Sequence, residues 1–269
     1  DRPSCAVSYG QFQPGTYRQF QLNVEKDRWS PVTIPSYSPH HIPYFIPVHA
    51  IPDMPCMTNS EIFTQVDYLL TSAVRKRCLT TDRPIACLLS GGLDSSLITA
   101  LVDEQYRLQA KTMNNGTTDG LDKRLQTYSI GLEGSEDLRN ARVVAEYLDT
   151  EHTEVIISED TVFAAIPEVV RVIESYDVTT VRASIGNYLI GKYISGDTNA
   201  KVIFNGDGSD ELFGGYLYMN DCPDAQEFDR ETRRLLKDIH LFDVLRSDKC
   251  ISSHGLEPRT PFLDRNVVN

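Results

Sequence analysis

The residues best suited to chemistry lie in a run of seven, Ser90-Gly91-Gly92-Leu93-Asp94-Ser95-Ser96. Two glycines let a backbone approach an anion closely, and Ser90, Ser95 and Ser96 add hydroxyl donors. The apolar run Ile85-Ala86-Cys87-Leu88-Leu89 precedes it and reads as a buried strand. Leu97-Ile98-Thr99-Ala100-Leu101-Val102 follows and reads as the start of a helix. A strand that breaks into glycines and hydroxyls before a helix is a phosphate-binding device, because the helix N-terminus offers unpaired N–H groups and the positive end of a dipole. Asp94 is the odd member. A carboxylate beside a phosphate is repulsive unless a divalent cation lies between them.

A second loop, Asn205-Gly206-Asp207-Gly208-Ser209-Asp210-Glu211-Leu212-Phe213-Gly214-Gly215-Tyr216, follows the apolar run Lys201-Val202-Ile203-Phe204. Three carboxylates within five positions repel one another, and a solvated turn is the plain alternative. The preceding strand and the flanking glycines weigh against that alternative. A divalent ion bridging Asp210 and Asp94 would offset the repulsion and draw in a triphosphate. Neither loop is a Walker A motif, since the Gly-Lys-Ser/Thr ending is missing, and Glu211 stands where G-x-G-x-x-G needs its third glycine. Between the loops, Thr179, Thr180 and Arg182 precede a helical run. They read equally as hydroxyls and a guanidinium for a small carboxylate substrate, or as a helix N-cap with a surface arginine.

The elements that must position these loops alternate. Thr58-Asn59-Ser60-Glu61 is a capping box, after which Ile62, Val66, Leu69, Leu70, Ala73 and Val74 recur on one helical face. Strands are expected at 85–89, 125–132, 153–157 and 201–204, and helices at 138–148, 162–176 and 226–247. Residues 114–120 read as a surface loop. Such alternation implies an α/β fold, a mainly parallel sheet with helices on both faces, whose ligands sit outside the carboxyl ends of the strands. Both glycine-rich loops fall there and are expected to face one ligand. Residues 1–57 differ in texture. Phe12 to Tyr17 is a turn signal followed by the alternating strand 17–22, and seven prolines between 31 and 55 imply an extended linker.

The whole chain sets limits on function. A net charge of −12 over 269 residues argues against a nucleic-acid partner, and no apolar run is long enough to span a membrane. The six cysteines form no C-x-x-C pair, and His40, His41 and His49 have no further ligand at metal spacing, so they read as loop residues. A reducing, cytoplasmic setting fits this usage. Asn115-Gly116-Thr117 is taken as a chance sequon. A start at Asp1 rather than Met points to a segment or a processed chain.

SGGLDSS, YDVTTVRAS, NGDGSDELFGGY and HGLEPRTPFLD, in this order and spacing, resemble the synthetase domain of glutamine-hydrolysing asparagine synthetases. AVRKRCL and NYLIGKYI match as well. The resemblance covers about residues 58–269, and Phe12 to Tyr17 resembles the last strands of that family's glutaminase domain. It implies an adenine-nucleotide alpha-hydrolase-like (PP-loop) fold, with residues 1–57 the tail of a glutaminase domain and linker, and 58–269 an ATP-binding domain incomplete at its C-terminus. It implies a C–N ligase that adenylates the side-chain carboxylate of aspartate with ATP and Mg²⁺, after which ammonia from glutamine attacks β-aspartyl-AMP. Its partners would be these small molecules and, for assembly, a second copy of the chain.

Carried over by position, Ser90, Gly91, Gly92, Ser95 and Ser96 would hold the pyrophosphate end of ATP. Asp94 would touch the nucleotide and, with Asp210, hold Mg²⁺. Leu89, Ile130, Asn205 and Gly206 match positions that contact the nucleotide. Thr179, Thr180 and Arg182 match the aspartate region, and Glu211 is expected to pair with Arg182, both serving catalysis with Asp207. Three departures stand out. Asp207 occupies a position that is often Glu in this family and proposed to help ammonia attack. Cys5 does not match the glutaminase's catalytic cysteine. The chain stops before the C-terminal helices that carry a pyrophosphate-binding lysine. A ligase of β-lactam synthetase type, acting on another carboxylate, and a silent nucleotide-binding module are the alternatives. Thr179, Thr180 and Arg182 weigh against the first, and the Asp94–Asp210 pair weighs against the second.

Overall fold

The computed structural model describes Phe12, Pro14 and residues 16–24, 27–32, 42–43, 57–113 and 124–268, with the side chains of 42–43 and 110–113 excluded. The chain forms two compact units, one mainly Asp1–Pro55 and the other Cys56–Val268. In the first, β1 (Thr16–Tyr17) pairs antiparallel with β4 (Ile42–Pro43), and β2 (Phe20–Asn23) with β3 (Arg28–Pro31). The strand expected over 17–22 is therefore divided at Arg18 and Gln19. Ile42–Pro43, inside the expected linker, is also strand; most of the rest of that linker, the loop 114–120 and the three linker histidines lie outside the described residues.

The second unit begins with α1 (Asn59–Leu79), whose capping box closes as its sequence predicts. The Thr58 hydroxyl accepts from the Glu61 N–H at 3.3 Å, and the Glu61 carboxylate accepts from the Thr58 N–H at 2.8 Å. There follow β5 (Ile85–Leu88), α2 (Leu93–Met113), β6 (Gln126–Leu132), α3 (Glu136–Leu148), β7 (Glu151–Ile157), α4 (Glu159–Ile173), α5 (Val178–Asp197) and β8 (Val202–Phe204). The chain continues with α6 (Ser209–Phe213), α7 (Ala225–Asp238), α8 (Asp243–Ser252), β9 (Glu257–Arg259) and α9 (Arg265–Val268).

β5 to β9 form one sheet in the order β7-β6-β5-β8-β9, every pair parallel. The two-residue period of the strands sorts the core into two layers. Ile85, Cys87, Val202 and Phe204 pack with Leu70 and Val74 of α1 and Ile98 and Val102 of α2. Ala86, Ile203 and Tyr128 pack on the opposite face with Ile190 and Ile194 of α5 and Ile251 of α8. Helices thus cover both faces, as the alternating pattern required.

Three differences from the sequence reading have clear causes. The helix expected over 226–247 stops at Asp238, passes through a 3₁₀ turn at Ile239–Leu241 and restarts as α8, so its second half points back to the sheet. α4 ends at Ile173, where Glu174 takes a left-handed φ of 56° and the Lys249 ammonium donates to the Ile173 carbonyl at 3.3 Å. β9 was not expected, since Glu-Pro-Arg carries no strand period; its place is set by Arg259, whose guanidinium donates to the Arg77 and Thr80 carbonyls at the end of α1.

Asp264 completes that clasp. It is 3% exposed and paired with Arg77 and Lys76 of α1. Burial alone would raise its carboxyl, but the hydrogen bonds from Lys76 and Arg77 prevail and hold it at about 2. The unfolded carboxyl titrates near ~3.9, so the stability this residue contributes is complete above that pH and disappears as pH falls towards 2. Asp264→Asn is expected to lower stability by about 3 kcal/mol at pH 7. Urea unfolding should show the gap between wild type and variant closing as the pH is lowered from 5 to 3; a gap constant with pH would remove the charge from this account.

Candidate functional site at the carboxyl edge of the sheet

The sheet order places a topological switch between β5 and β8. From β5 the chain winds outward through β6 and β7, then crosses back to β8 on the other side. Loops leaving the carboxyl ends of two such strands diverge and open a crevice between them. Here those loops are Leu89–Gly92, which enters α2, and Asn205–Gly208, which enters α6. A cavity of about 250 Å³ lies at that point, lined by residues of both loops and by side chains of α5 and α8.

The two loops touch. A β-carbon at Gly206 would stand 2.9 Å from the Ser95 nitrogen and 3.0 Å from the Asp94 β-carbon, so only glycine permits this approach. Gly91 is fixed differently. It has a φ of +79°, and a side chain there would collide with the backbone of Asn140 and Ala141 in α3. Within the first loop the hydroxyls hold one another: Ser90 Oγ lies 3.0 Å from Ser95 Oγ, and Ser96 Oγ donates to the Gly92 carbonyl at 2.7 Å. The helix begins at Leu93 rather than Leu97, which places Asp94, Ser95 and Ser96 in its first turn, where the Ser96 N–H already donates to the Gly92 carbonyl at 3.1 Å.

The carboxylates divide into two groups. Asp94 faces the second loop, where the Ser209 hydroxyl donates to its Oδ1 at 2.8 Å. Asp210 lies beside it. Burial, then the charges of Asp94 and Glu211, push the Asp210 carboxyl above its usual range. Two carboxylates at a helix N-terminus, ringed by hydroxyls, have the oxygen donors that Mg²⁺ prefers, completed by water and phosphate. The residues fit such an ion.

Asp207 belongs to the second group. Asn205 Nδ2 donates to its carboxylate at 2.8 Å and lies 2.6 Å from Ser247 Oγ of α8. Burial pushes the Asp207 carboxyl up, and the hydrogen bond from Ser247 and the Arg246 charge only partly offset it. Glu211 is 3% exposed and accepts from the Tyr216 phenol, whose oxygen is also 3.3 Å from Asp243 Oδ2. Asp243 is ion-paired with Arg246.

The cavity gathers Ser90, Asp94, Ser95, Asn205, Gly206, Asp207, Asp210 and Glu211 from the expected set. Gly91, Gly92 and Ser96 form the loop without lining it, and Ile130 packs towards α5. Leu88, not Leu89, presents its side chain there; Leu89 is 1% exposed and packs on Ala141 and Ala145 of α3. The expected pairing of Glu211 with Arg182 is not formed: Glu211 bonds Tyr216, and Arg182 is exposed. Thr180 is buried at the first turn of α5, its N–H and hydroxyl both donating to the N-cap Asp177 at 2.8 Å. Thr179 is exposed beside it. Asn187, Ser209, Tyr216, Asp243 and Ser247 were missed. Ser209 and Tyr216 sit inside the second motif and could have been found. Asn187 of α5 and the α8 pair face the site only because their helices pack beside it.

Comparison with known proteins matches the chain to a family. The asparagine synthase family model matches residues 65–225 and 219–269. The chain belongs to the asparagine synthase family. It is 42% identical over 258 residues to the human asparagine synthetase [glutamine-hydrolyzing], covering 94% of this chain and 43% of that protein. It is 50% identical over 196 residues to the one from Cricetulus griseus, covering 73% of this chain and 33% of the relative. The chain therefore spans less than half the length of these relatives. Among solved structures, an NH3-dependent NAD synthetase from Campylobacter jejuni is similar at 16% identity and TM-score 0.36, over 57% of this chain and 60% of that one. Among the described residues, no helix is long and apolar enough to cross a membrane.

The Gly206 contact generates a test. Gly206→Ala must separate two backbone segments by several tenths of an ångström, and misplacements of this order are costly for ligand alignment. The variant is expected to bind ATP at least ~10-fold more weakly by calorimetry while keeping its helical circular dichroism. Unaltered affinity would mean the two loops do not hold one ligand.

Proposed function

We propose that this chain is the nucleotide-binding part of an ATP-dependent asparagine synthetase. The observation that carries the reading is the cavity where the first turn of α2 meets the loop after β8, lined by both Asp94 and Asp210. The N-terminus of α2 and the Ser90–Ser96 hydroxyls receive the phosphates, and Asn205 and Gly206 border the nucleotide. Asp94 and Asp210 would hold Mg²⁺, which supplies charge neutralisation for the leaving pyrophosphate. Contact at Leu89 falls to its backbone, since its side chain is in the core. Thr179 and Arg182, exposed on the first turn of α5, offer a hydroxyl and a guanidinium to aspartate, while Thr180 and Asp177 fix that turn.

The reaction has two steps. The side-chain carboxylate of aspartate attacks the α-phosphate, releasing pyrophosphate and giving β-aspartyl-AMP. Ammonia then attacks the acyl carbon, loses a proton and displaces AMP. Asp207 is the group placed to take that proton. Its raised carboxyl gives it basicity, and the Asn205 hydrogen bond gives it the fixed orientation that proton transfer needs. Glu211, Tyr216 and Asp243 form an acidic wall that suits an ammonium group better than phosphate. Residues 1–57 are assigned to the end of the module that supplies ammonia from glutamine, and the setting to the cytoplasm, where the free Cys78, Cys87 and Cys250 would stay reduced.

In the full-length protein, pyrophosphate should exchange into ATP only when aspartate is present, and Asp94→Asn should abolish the exchange. Exchange of equal rate without aspartate would sink the substrate assignment. Asp207→Asn should keep the exchange but slow asparagine formation at saturating ammonia by about 100-fold or more. Unchanged turnover would take Asp207 out of the mechanism.

A further inference from the structure

The cation assignment above leaves open what keeps the Asp94 carboxylate in place. We propose that Ser209 is a positioning residue for the Mg²⁺-binding carboxylate Asp94, acting across the two loops. The inference rests on the proposed nucleotide site and deepens it. Ser209 is the first residue of α6 and is 6% exposed, so its hydroxyl has little access to water. That hydroxyl donates to Asp94 Oδ1 at 2.8 Å, a bond between residues 115 positions apart in sequence. It leaves the second carboxylate oxygen as the one available to a cation.

Two further features make this bond more than a packing detail. The Gly206 backbone already stands against Asp94 and Ser95, so the loops have no slack through which Asp94 could turn without breaking the Ser209 bond. Asp210 is the residue after Ser209 and lines the same cavity as Asp94. One short helix turn therefore supplies both the second carboxylate and the donor that orients the first. Hydrogen bonds that orient a metal-binding group are each typically worth 10- to 100-fold in metal affinity.

The test uses α,β-methylene-ATP, which cannot be cleaved between its α- and β-phosphates, so no turnover is needed. Its affinity for the 269-residue chain is measured by calorimetry with Mg²⁺ and in EDTA, and the ratio gives the metal-dependent gain. Ser209→Ala is expected to reduce that gain by about 10-fold or more while leaving the affinity in EDTA and the melting temperature near wild type. Ser209→Thr, which keeps the hydroxyl, should restore it. Asp94→Asn separates the two levels of the argument. If wild type shows no Mg²⁺-dependent gain, or Asp94→Asn retains it, the cation site itself is wrong and this inference falls with it. If Asp94→Asn loses the gain and Ser209→Ala does not, the site stands and the role of Ser209 is refuted. A Ser209→Ala variant weakened equally in EDTA, or one not rescued by threonine, would show a packing role only and overturn the proposal.

Discussion

Everything at the site depends on two backbones meeting at the carboxyl edge of the sheet. β5 and β8 are parallel neighbours with Cys87 opposite Phe204, so their exit loops leave at the same height. Gly206 then lets the second loop lie against the first turn of α2. The contact brings Asp94 and Asp210 to one cavity, where the Asp94 charge adds to the effect of burial on the Asp210 carboxyl, a cost that a cation would offset. A parallel sheet pairs its strands through the interior and leaves this edge to the loops, which is why repulsive chemistry can be tolerated there and nowhere in the core.

The architecture that holds the edge is itself polar. Arg259 and Asp264, in the stretch EPRTPFLD, grip the last turn of α1 through its carbonyls, Arg77 and Lys76. Phe262 is 2% exposed and meets Phe213 of α6 edge-on at 6.1 Å. The same segment therefore carries an edge strand, gives partners to carbonyls at the end of α1, and packs against the helix that carries Asp210. Motifs that resemble a family's signature do two jobs here. Some of their residues face the cavity, and others make the cavity possible.

Much of this was legible in the chain. The apolar runs before each glycine-rich loop marked β5 and β8, and the capping box marked the start of α1. What the sequence could not show was direction. The stretch 226–247 keeps a helical pattern throughout, yet Phe242 breaks it and turns Ser247 and Arg246 towards Asp207. Thr180 reads equally as a ligand-binding hydroxyl or as part of a helix N-cap, and the fold decides for the cap, since Asp177 three residues earlier accepts its hydrogen bond. Glu211 was expected to reach Arg182; Tyr216, five residues on in the same loop, donates to it instead, and α8 brings Asp243 to that phenol.

The sequence by itself determined the local chemistry of this protein: glycines where backbone must come close, hydroxyls and a helix start where phosphate would bind, and carboxylates that need a counter-charge. These follow from residue type and short spacing, because strand period, capping and loop flexibility are local properties. Only the tertiary structure decided which carboxylates are partners and which face of each helix meets the site. That depends on strand order, and strand order is settled by long-range packing: the two layers of side chains on β5 and β8 must each find their helices before Ser209 can reach Asp94.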